Sequence, residues 1–191
     1  MKSLQPTIRR ITEKTFFHYL KCPLWVYHDA GGHQPEDINA LRERLTDDGL
    51  LPEKERELIA NREDIAEVTA EDTDEAFQQT LGFMREGRQT IYHGMLIHGH
   101  WVGSPDMLAR VEGRSNFGNY YYIACDMKRA RNLRDEYRFQ GCFYGELLER
   151  IQGVKPIHGY VLTPDRSILS YNIEAFSNNY HLTLHELEHR K

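Results

Sequence analysis

The sequence predicts an α/β or α+β sandwich built around one mixed β-sheet, and two observations predict it. Helical patterns fill the first part of the chain, a three-strand pattern lies near its middle, and a helix, a strand pair and a last helix follow. This order of elements is typical of a sheet with helices packed against it. The 191 residues, 40% of them hydrophobic, are enough for one core, so a single domain over 1–191 is predicted.

The first part of the chain is predicted to be helical. Residues 1–10 are expected to form a loose arm, and Thr12 is the predicted cap of a helix through the run ITEKTFFHYLK. Cys22-Pro23 ends this helix, because the residue before a proline disfavours the helical conformation. A short second helix is predicted after the break, and two charged helices are predicted over 35–63.

A strand over 65–68 and a helix over 72–87 are predicted next. Asp72 or Thr73 is the expected cap of this helix, because short polar side chains accept hydrogen bonds from the N–H groups of a first turn. Gly87 is the expected end, because glycine readily adopts the left-handed conformation that closes helices.

The middle of the chain predicts a meander of three strands. The predicted strands cover 89–97, 101–111 and 120–126, with a turn near His98-Gly99 and a loop over 114–119. The first two form a predicted hairpin. The third contains the run YYYIAC, and aromatic and β-branched residues favour strands.

The last part of the chain is predicted to close the core. A helix follows the third strand and ends at Gln152, before Gly153. Two strands are expected over 156–162 and 168–173, joined by a turn of sequence TPDR, and 174–189 is expected to be a terminal helix.

An acid and a lysine stand two residues apart where the third strand ends. Side chains alternate along a strand, so Asp126 and Lys128 are predicted to share a face. A carboxylate and an amine held together in this way can bind a metal ion and act on a nucleophilic water molecule. An ordinary ion pair at the end of a strand is the alternative interpretation.

The helix after this strand carries polar groups in its apolar face. The residues of this face, spaced by three and four, are Tyr137, Gln140, Tyr144, Leu147 or Leu148, and Ile151. A buried amide without partners costs about 1–3 kcal/mol, so Gln140 indicates that the face reaches a polar site. Gln140 and Tyr144 are one helical turn apart and can both lean toward Asp126 and Lys128. The alternative is an amide that caps an edge of the sheet.

Three motifs occur in an order that resembles a known nuclease superfamily. They are Ser104-Pro105-Asp106 after a glycine, Asp126-Met127-Lys128 about 20 residues further on, and Gln140 with Tyr144 in the next helix. In this order the chain resembles the PD-(D/E)xK nucleases, within them the RecB-type, Cas4-related branch, and most nearly the predicted RecB-family nucleases. The runs FFHYLKCP and ERIQGVKPIHGYVLTPDRS resemble segments of the same branch, so the resemblance covers residues from about 12 to 173.

The resemblance implies a restriction-endonuclease-like core, a mixed sheet flanked by helices, and a metal-dependent nuclease that acts on DNA. It implies that Asp106, Asp126 and the backbone carbonyl of Met127 hold Mg²⁺ or Mn²⁺, hard ions that prefer oxygen ligands. Lys128 would orient the attacking water and stabilise the charge that builds on the phosphate.

The resemblance also assigns roles around this centre. Gln140 and Tyr144 would position Lys128 or a DNA phosphate. The basic residues at the entry to the helix would contact the DNA backbone or form a solvated surface; they are Arg129, Arg131 and Arg134. The expected partners are single-stranded DNA or duplex ends, as for an exonuclease, and a helicase or another nucleic-acid-processing module.

The sequence departs from the family pattern. Asp126 stands where glutamate is common, and no histidine matches the upstream metal ligand of many RecB-type enzymes, a position that Glu53 or Glu57 would have to fill. The iron–sulfur version of the family uses four cysteines, three of them near the C-terminus, and none follows Cys142 here, so no iron–sulfur cluster is expected. A catalytically weak nucleic-acid-binding or scaffold module of the same fold is therefore the alternative function.

Composition bears on other classes of function. The formal net charge of −5 does not advertise nucleic-acid binding, although charge can be segregated locally. Three widely spaced cysteines without a C-x-x-C disfavour a zinc ribbon and suit a reducing cytoplasm. No apolar run approaches the roughly 20 residues of a membrane span, so no membrane partner is expected.

Two groups of histidines offer a different chemistry. The first group lies just before Asp106 and consists of His93, His98 and His100. Because H-x-H is a spacing that can bind zinc, a different metal hydrolase is a further alternative. The second group, on one face of the last helix, is a transition-metal site or a solvated stripe and consists of His181, His185 and His189.

Overall fold

The computed structural model describes residues 10–21, 64–128, 132–165 and 167–189. The strands are β1 (Ile11–Thr12), β2 (Ile65–Glu67), β3 (Thr90–Tyr92), β4 (Leu96–His98), β5 (Trp101–Gly103), β6 (Met107–Ser115), β7 (Gly118–Met127), β8 (His158–Leu162) and β9 (Ile168–Asn172). The helices are α1 (Glu13–Lys21), α2 (Thr73–Glu86), α3 (Asp135–Gln152) and α4 (Ser177–His189), with a 3₁₀ turn at Glu174–Phe176. None of the described helices combines the length and apolar character needed to cross a membrane.

Two stretches with predictions lie outside the described residues. They are the loose arm, apart from Arg10, and the helical segments predicted over 22–63 with the break at Cys22-Pro23. The predictions for these stretches therefore stay predictions. The terminal helix predicted over 174–189 is confirmed, with its first turn in the 3₁₀ form.

The described strands form two sheets. One has six strands in the order β2-β3-β6-β7-β8-β9, in which β2 and β3 are parallel, β7 and β8 are parallel, and the other neighbours are antiparallel. The other has three strands in the order β1-β5-β4, with β1 and β5 parallel and β4 and β5 antiparallel. The prediction of a mixed sheet flanked by helices is confirmed, whereas the prediction of one sheet is wrong.

The second sheet exists because both strands of the predicted hairpin break. The strand predicted over 89–97 divides into β3 and β4 at His93, whose φ of 54° takes the backbone into the left-handed region. The strand predicted over 101–111 divides into β5 and β6 around Pro105, which has no N–H to donate to a neighbouring strand. The break in each strand lets its first and second halves join different sheets.

The helix ends follow the signals in the sequence. Asp72 accepts hydrogen bonds from two N–H groups in the first turn of α2, at 2.9 and 3.0 Å, which confirms its predicted role as the cap. Gly87 (φ 72°) and Gly153 (φ 76°) end α2 and α3 in the left-handed conformation, also as predicted. α1 begins at Glu13, directly after its predicted cap Thr12.

The core is centred on α3, which packs against β7 and β8 and contacts α1 and α4. Its fully buried side chains include Phe143, Leu147 and Leu148. Tyr171 of β9 fills the narrow space between α3 and the sheet, because a Cβ on Gly141 would lie 1.7 Å from its hydroxyl and one on Gly159 would lie 2.4 Å away. The Tyr171 hydroxyl donates to the Tyr137 carbonyl at 2.9 Å, which binds the first turn of α3 to β9.

The last turn of α3 is bound to β7 by Gln152. The Gln152 Oε1 accepts from the Tyr122 N–H at 2.8 Å, and its Nε2 donates to the Tyr122 carbonyl at 3.0 Å and to the Val154 carbonyl at 3.1 Å. The side chain is fully buried, so these bonds supply the partners that a buried amide requires. The helix is therefore fixed to the sheet at both of its ends.

Candidate active site

The two predicted acids lie side by side where β6 begins and β7 ends. Met107 pairs with Cys125, so the residue before Met107 falls opposite the residue after Cys125. The Asp106 N–H points to Asp126 Oδ1 at 3.4 Å, and the Met127 N–H donates to Asp106 Oδ2 at 2.6 Å. The register of β6 and β7 therefore brings together two carboxylates that are far apart in the sequence.

Lys128 lies beside Asp126, and the prediction that they share a face is confirmed. The Lys128 Nζ is 3.9 Å from Asp126 Oδ2, and the Lys128 N–H donates to the Leu162 carbonyl of β8 at 2.9 Å. The lysine side chain is 18% exposed and the aspartate side chain 7%. The contact is long for an ion pair, so the ammonium attracts the carboxylate without making a short hydrogen bond to it.

Gln140 and Tyr144 reach the same corner from α3. The Gln140 Nε2 donates to the Tyr144 hydroxyl at 3.0 Å, and this hydroxyl donates to the Ser104 carbonyl at 3.3 Å. Because Ser104 is two residues before Asp106, these bonds end on the loop that carries the first acid. The alternative in which Gln140 caps an edge of the sheet is wrong, since its amide bonds to Tyr144 and the cap of β7 is Gln152.

A third carboxylate, Glu13, joins this corner, and the sequence interpretation missed it. Parallel pairing of β1 with β5 carries the first residue of α1 to the end of β5. Glu13 is 8% exposed, the backbone of Ser104 is hydrogen-bonded to its carboxylate, and the charges of Asp126 and Lys128 act on it. The one signal in the sequence is that Glu13 is an acid in the first turn of a helix. The helix dipole favours such an acid whether or not it belongs to a functional site.

Burial is the largest electrostatic effect at this corner. It raises the pKa of Asp126, and the charge of Glu13 acts in the same direction, against Lys128 and the Asp106 backbone. Burial likewise raises the pKa of Glu13, against backbone hydrogen bonds and nearby lysines. Burial and the three carboxylates raise the pKa of Tyr144 well above its usual value, so its hydroxyl is a hydrogen-bond donor at neutral pH.

The oxygen donors of the corner have the chemistry that a hard divalent cation prefers. Asp106, Asp126 and Glu13 offer carboxylates, and Met127 offers a backbone carbonyl at the end of β7. The charge of Lys128 acts on Asp126, and those of Lys14 and Lys128 act on Glu13, but burial outweighs them and raises the pKa of both acids, so a divalent ion would favour the ionised carboxylates. The described side chains do not form a ready group of three His, Cys, Asp or Glu ligands. The carboxylates would therefore have to move closer together to coordinate an ion.

Of the residues predicted to bind phosphates or to replace the upstream metal ligand, the structure describes one. Arg134 is exposed and directly precedes α3. The other predicted phosphate contacts, Arg129 and Arg131, and the predicted upstream acids, Glu53 and Glu57, lie outside the described residues. The predictions for these four residues therefore stay predictions.

The first group of histidines does not form a metal site in the part of the chain that the structure describes. His93 Nδ1 lies 3.7 Å from a Glu67 carboxylate oxygen, and His100 Nε2 accepts from the Trp101 indole N–H at 3.0 Å. His98 is the last residue of β4. These contacts lend no support to the alternative of a metal hydrolase built on His93, His98 and His100.

The histidines of α4 divide between two settings. His181 Nε2 lies 3.4 Å from a Glu146 carboxylate oxygen of α3, so it takes part in the packing of α4 on α3. The rings of His185 and His189 stack with centroids 4.1 Å apart on the exposed side of the helix. Within the described ranges these side chains form no metal-holding group, and their contacts favour the solvated stripe.

Comparison with known proteins found no family model that matches this chain and no curated protein that matches it. The nuclease resemblance therefore depends on the quoted motifs. Independently of any comparison, the structure places Asp106, Asp126, Lys128 and Tyr144 at one corner.

Proposed function

We propose that this chain is a metal-dependent nuclease of the RecB type, which hydrolyses phosphodiester bonds in DNA. The observation that carries the proposal is the meeting of Asp106, Asp126 and Lys128 with Gln140 and Tyr144 at one corner of the six-stranded sheet. A restriction-endonuclease-like core is part of the same proposal, and the mixed six-stranded sheet with helices packed against it supports that part.

The proposed cofactor is Mg²⁺ or Mn²⁺. Asp106, Asp126 and the Met127 carbonyl would hold it, and Glu13 adds a carboxylate at the same corner. When bound, such an ion polarises the scissile phosphate and lowers the pKa of an attacking water molecule. Two of these acids, Asp126 and Glu13, have pKa values raised by burial, and a cation beside them would favour their ionised forms.

Lys128 would act on the water and the phosphate directly. Its ammonium, beside Asp126, would donate hydrogen bonds to the attacking water and to a non-bridging phosphate oxygen. These bonds strengthen as negative charge grows on the phosphate, so they stabilise the transition state more than the bound substrate. The water oxygen releases a proton to solvent and bonds to phosphorus as the bond to the leaving oxygen breaks, and the leaving oxygen takes up a proton from solvent.

Tyr144 would position the first acid. Its hydroxyl donates to the Ser104 carbonyl and receives a hydrogen bond from Gln140, so it fixes the loop that carries Asp106. A buried and protonated phenol does this without adding charge to the site. The resemblance implied that Gln140 and Tyr144 position Lys128 or a DNA phosphate; the proposal assigns them to Asp106 instead, because their hydrogen bonds lead to Ser104.

DNA in single-stranded form or with duplex ends is the proposed substrate, as for an exonuclease. Arg129, Arg131 and Arg134 would contact its phosphates, because cations supply most of the affinity for a nucleic-acid backbone. A helicase or another nucleic-acid-processing module is the proposed partner, and a reducing cytoplasm is the proposed location. These parts of the proposal rest on the resemblance and on the cysteine content.

Cleavage of end-labelled single- and double-stranded DNA tests the proposal. We expect product with Mn²⁺ or Mg²⁺, none with EDTA, and none from Asp126→Asn. The matched control is Asp74→Asn, because Asp74 is 75% exposed and its contact with Arg10 is long, at 3.7 Å. This control should cleave as the wild type does. Product from Asp126→Asn in the presence of Mn²⁺ would refute the assignment of the site.

A catalytically weak nucleic-acid-binding or scaffold module of the same fold is the second candidate. The observation that favours it is that the described residues hold no ready group of three metal-ligating side chains. Fluorescence anisotropy with labelled DNA separates the two functions. Binding without product in any of the ions supports the module, whereas metal-dependent product from the wild type excludes it.

A further inference from the structure

Lys128 has an aromatic neighbour that the nuclease motifs do not include. The Lys128 Nζ lies 5.8 Å from the centroid of the Tyr137 ring and 3.9 Å from Asp126 Oδ2. We propose that Tyr137 is a positioning residue whose ring face holds the Lys128 ammonium where the attacking water and the phosphate would meet it. This inference rests on the proposed nuclease function.

The attraction between an ammonium and a ring face suits this task. A cation within about 6 Å of a ring centroid is attracted by the ring quadrupole, and the attraction grows when water is excluded. Tyr137 is 2% exposed and the Lys128 side chain 18%, so both partners are largely shielded from solvent. A further carboxylate in place of the ring would also hold the ammonium, but it would add negative charge where the phosphate has to bind. The neutral ring restrains Lys128 without adding a further negative charge to the corner.

Tyr137 is itself held in place by the packing of α3 on the sheet. Its carbonyl accepts the hydroxyl of Tyr171 at 2.9 Å. The Tyr171 ring occupies the space that a Cβ on Gly141 or on Gly159 would need. The first turn of α3 can therefore shift little relative to β8 and β9, and the ring that Lys128 meets is fixed before any substrate binds.

Tyr137 also differs from the two motif residues of α3 in what it contacts. Gln140 donates to the Tyr144 hydroxyl, and this hydroxyl donates to the Ser104 carbonyl, on the side of Asp106. Tyr137 lies nearly one turn earlier in the helix and meets Lys128. One face of α3 thus supports both halves of the proposed centre, the acid before β6 and the lysine after β7.

The first test measures the contact without any catalytic step. Lysine side-chain signals of the full chain without metal are recorded by heteronuclear NMR, and the Lys128 signals are identified by their loss in Lys128→Met. We expect the protons of the Lys128 ε carbon to be shifted upfield by the ring in the wild type and in Tyr137→Phe, and to return to the ordinary lysine position in Tyr137→Leu. Equal Lys128 shifts in the wild type and Tyr137→Leu would overturn the proposal.

A control variant and a second substitution keep this test specific. Tyr121→Leu removes a tyrosine from the face of β7 opposite to that of Asp126, and it should leave the Lys128 signals unchanged. Tyr137→Met replaces the ring by a flexible apolar side chain that adapts to irregular space in a core. Tyr137→Met should lose the upfield shift of the Lys128 protons as Tyr137→Leu does. It replaces the leucine variant in the test if that variant melts below the temperature of the measurement.

The second test measures cleavage of end-labelled DNA with Mn²⁺. We expect kcat to fall about ten-fold in Tyr137→Leu, with KM within about two-fold of the wild type, and Tyr137→Phe to restore kcat. A purely structural role would instead lower the melting temperature and the fraction of active protein without changing kcat per active site. Equal kcat values for Tyr137→Leu and the wild type would overturn the positioning role.

The two tests separate this inference from the proposed function. A wild type that shows the ring shift but cleaves no DNA refutes the nuclease proposal and leaves the Tyr137 contact established. A wild type that cleaves DNA, with no difference between Tyr137→Leu and Tyr137→Phe in shift or kcat, refutes the Tyr137 proposal alone.

Discussion

Two acid–lysine pairs lie on or beside α3, and the pKa of the acid is lowered in one pair and raised in the other. In the first, Lys155 Nζ lies 2.6 Å from Glu146 Oε1, and His181 approaches the same oxygen at 3.4 Å. In the second, Lys128 Nζ lies 3.9 Å from Asp126 Oδ2. Burial acts to raise the pKa of Glu146, but the hydrogen bond and charge of Lys155 outweigh it and lower that pKa. At Asp126 burial is the larger effect and the pKa is raised.

The difference separates a pair that stabilises the fold from a pair that is suited to a ligand. Glu146 finds its counter-charges within the protein, so nothing further is needed to balance it. At Asp126 the charge of Lys128 does not outweigh burial and the charge of Glu13, so the ionised carboxylate stays unfavourable. Ionisable groups left in such a state are common at functional sites, where a bound cation or substrate relieves them.

The largest expected difference between the two pairs is in cleavage. We expect Lys128→Ala to lower the rate of DNA cleavage by about 100- to 1000-fold, because it removes a donor to the transition state. Lys155→Ala should stay within about three-fold of the wild type, because Lys155 belongs to the balanced pair. Single-turnover cleavage with Mn²⁺ measures both rates. Similar losses in the two variants would show that the Asp126–Lys128 pair has no special role.

The next largest difference is expected in the response to metal ions. Mn²⁺ at about a hundred times its dissociation constant should stabilise the wild type by about 2.7 kcal/mol, since an ion bound by the folded state favours folding. Asp126→Asn should lose most of this gain, whereas Glu146→Gln should keep it. Thermal melting curves with Mn²⁺ and with EDTA give the comparison. An equal Mn²⁺ response in all three proteins would place the ion elsewhere.

Stability without metal should change in opposite directions at the two pairs. Lys155→Met is expected to lower the free energy of unfolding by about 2 kcal/mol, because it leaves a buried carboxylate without its closest partner. Asp126→Asn is expected to raise it by about 1 kcal/mol, because it removes a buried charge that Lys128 offsets only in part. Urea denaturation measures both, with the exposed Glu149→Gln of α3 as the control. A loss of stability in Asp126→Asn would contradict this interpretation.

The smallest expected effect is a difference in pH dependence. The pKa of folded Asp126 is raised above its ordinary 3.8, so the wild type should lose stability relative to Asp126→Asn as pH rises above 3.8 through that raised pKa. The pKa of folded Glu146 is lowered below its ordinary 4.5, so the wild type should lose stability relative to Glu146→Gln as pH falls below 4.5. Urea unfolding across this range in EDTA gives the difference in free energy of unfolding between the wild type and each variant. The two differences should change with pH in opposite directions, and changes in the same direction would contradict the assignment.

Short-range rules are enough to predict the part of the site on β7 and α3. Asp126 and Lys128 share a face because side chains alternate along a strand, and their contact is observed. Gln140 and Tyr144 meet because residues four apart are neighbours on a helix, and their hydrogen bond is observed. Asp106 was predicted from the order of the motifs, and the register of β6 and β7 accounts for its position.

Long-range pairing explains what the sequence did not reveal. Glu13 reaches the corner because β1 pairs with β5. These two strands are separated in the chain by β2, α2, β3 and β4. The second sheet arises because His93 and Pro105 break two strands that look continuous in their hydrophobic pattern. Neither the partner of a strand nor a left-handed residue other than glycine has a reliable local signal.

The Gln152 amide also protects β7 from association with another molecule. Among the described residues β7 pairs with β8 over Cys125–Met127, so the earlier part of β7 presents a backbone edge beyond the end of β8. An open strand edge can act as a template for the strand of a second molecule. Gln152 bonds to both backbone groups of Tyr122 and occupies this edge as a strand residue would. The helix that supports the candidate site thus also limits growth of the sheet.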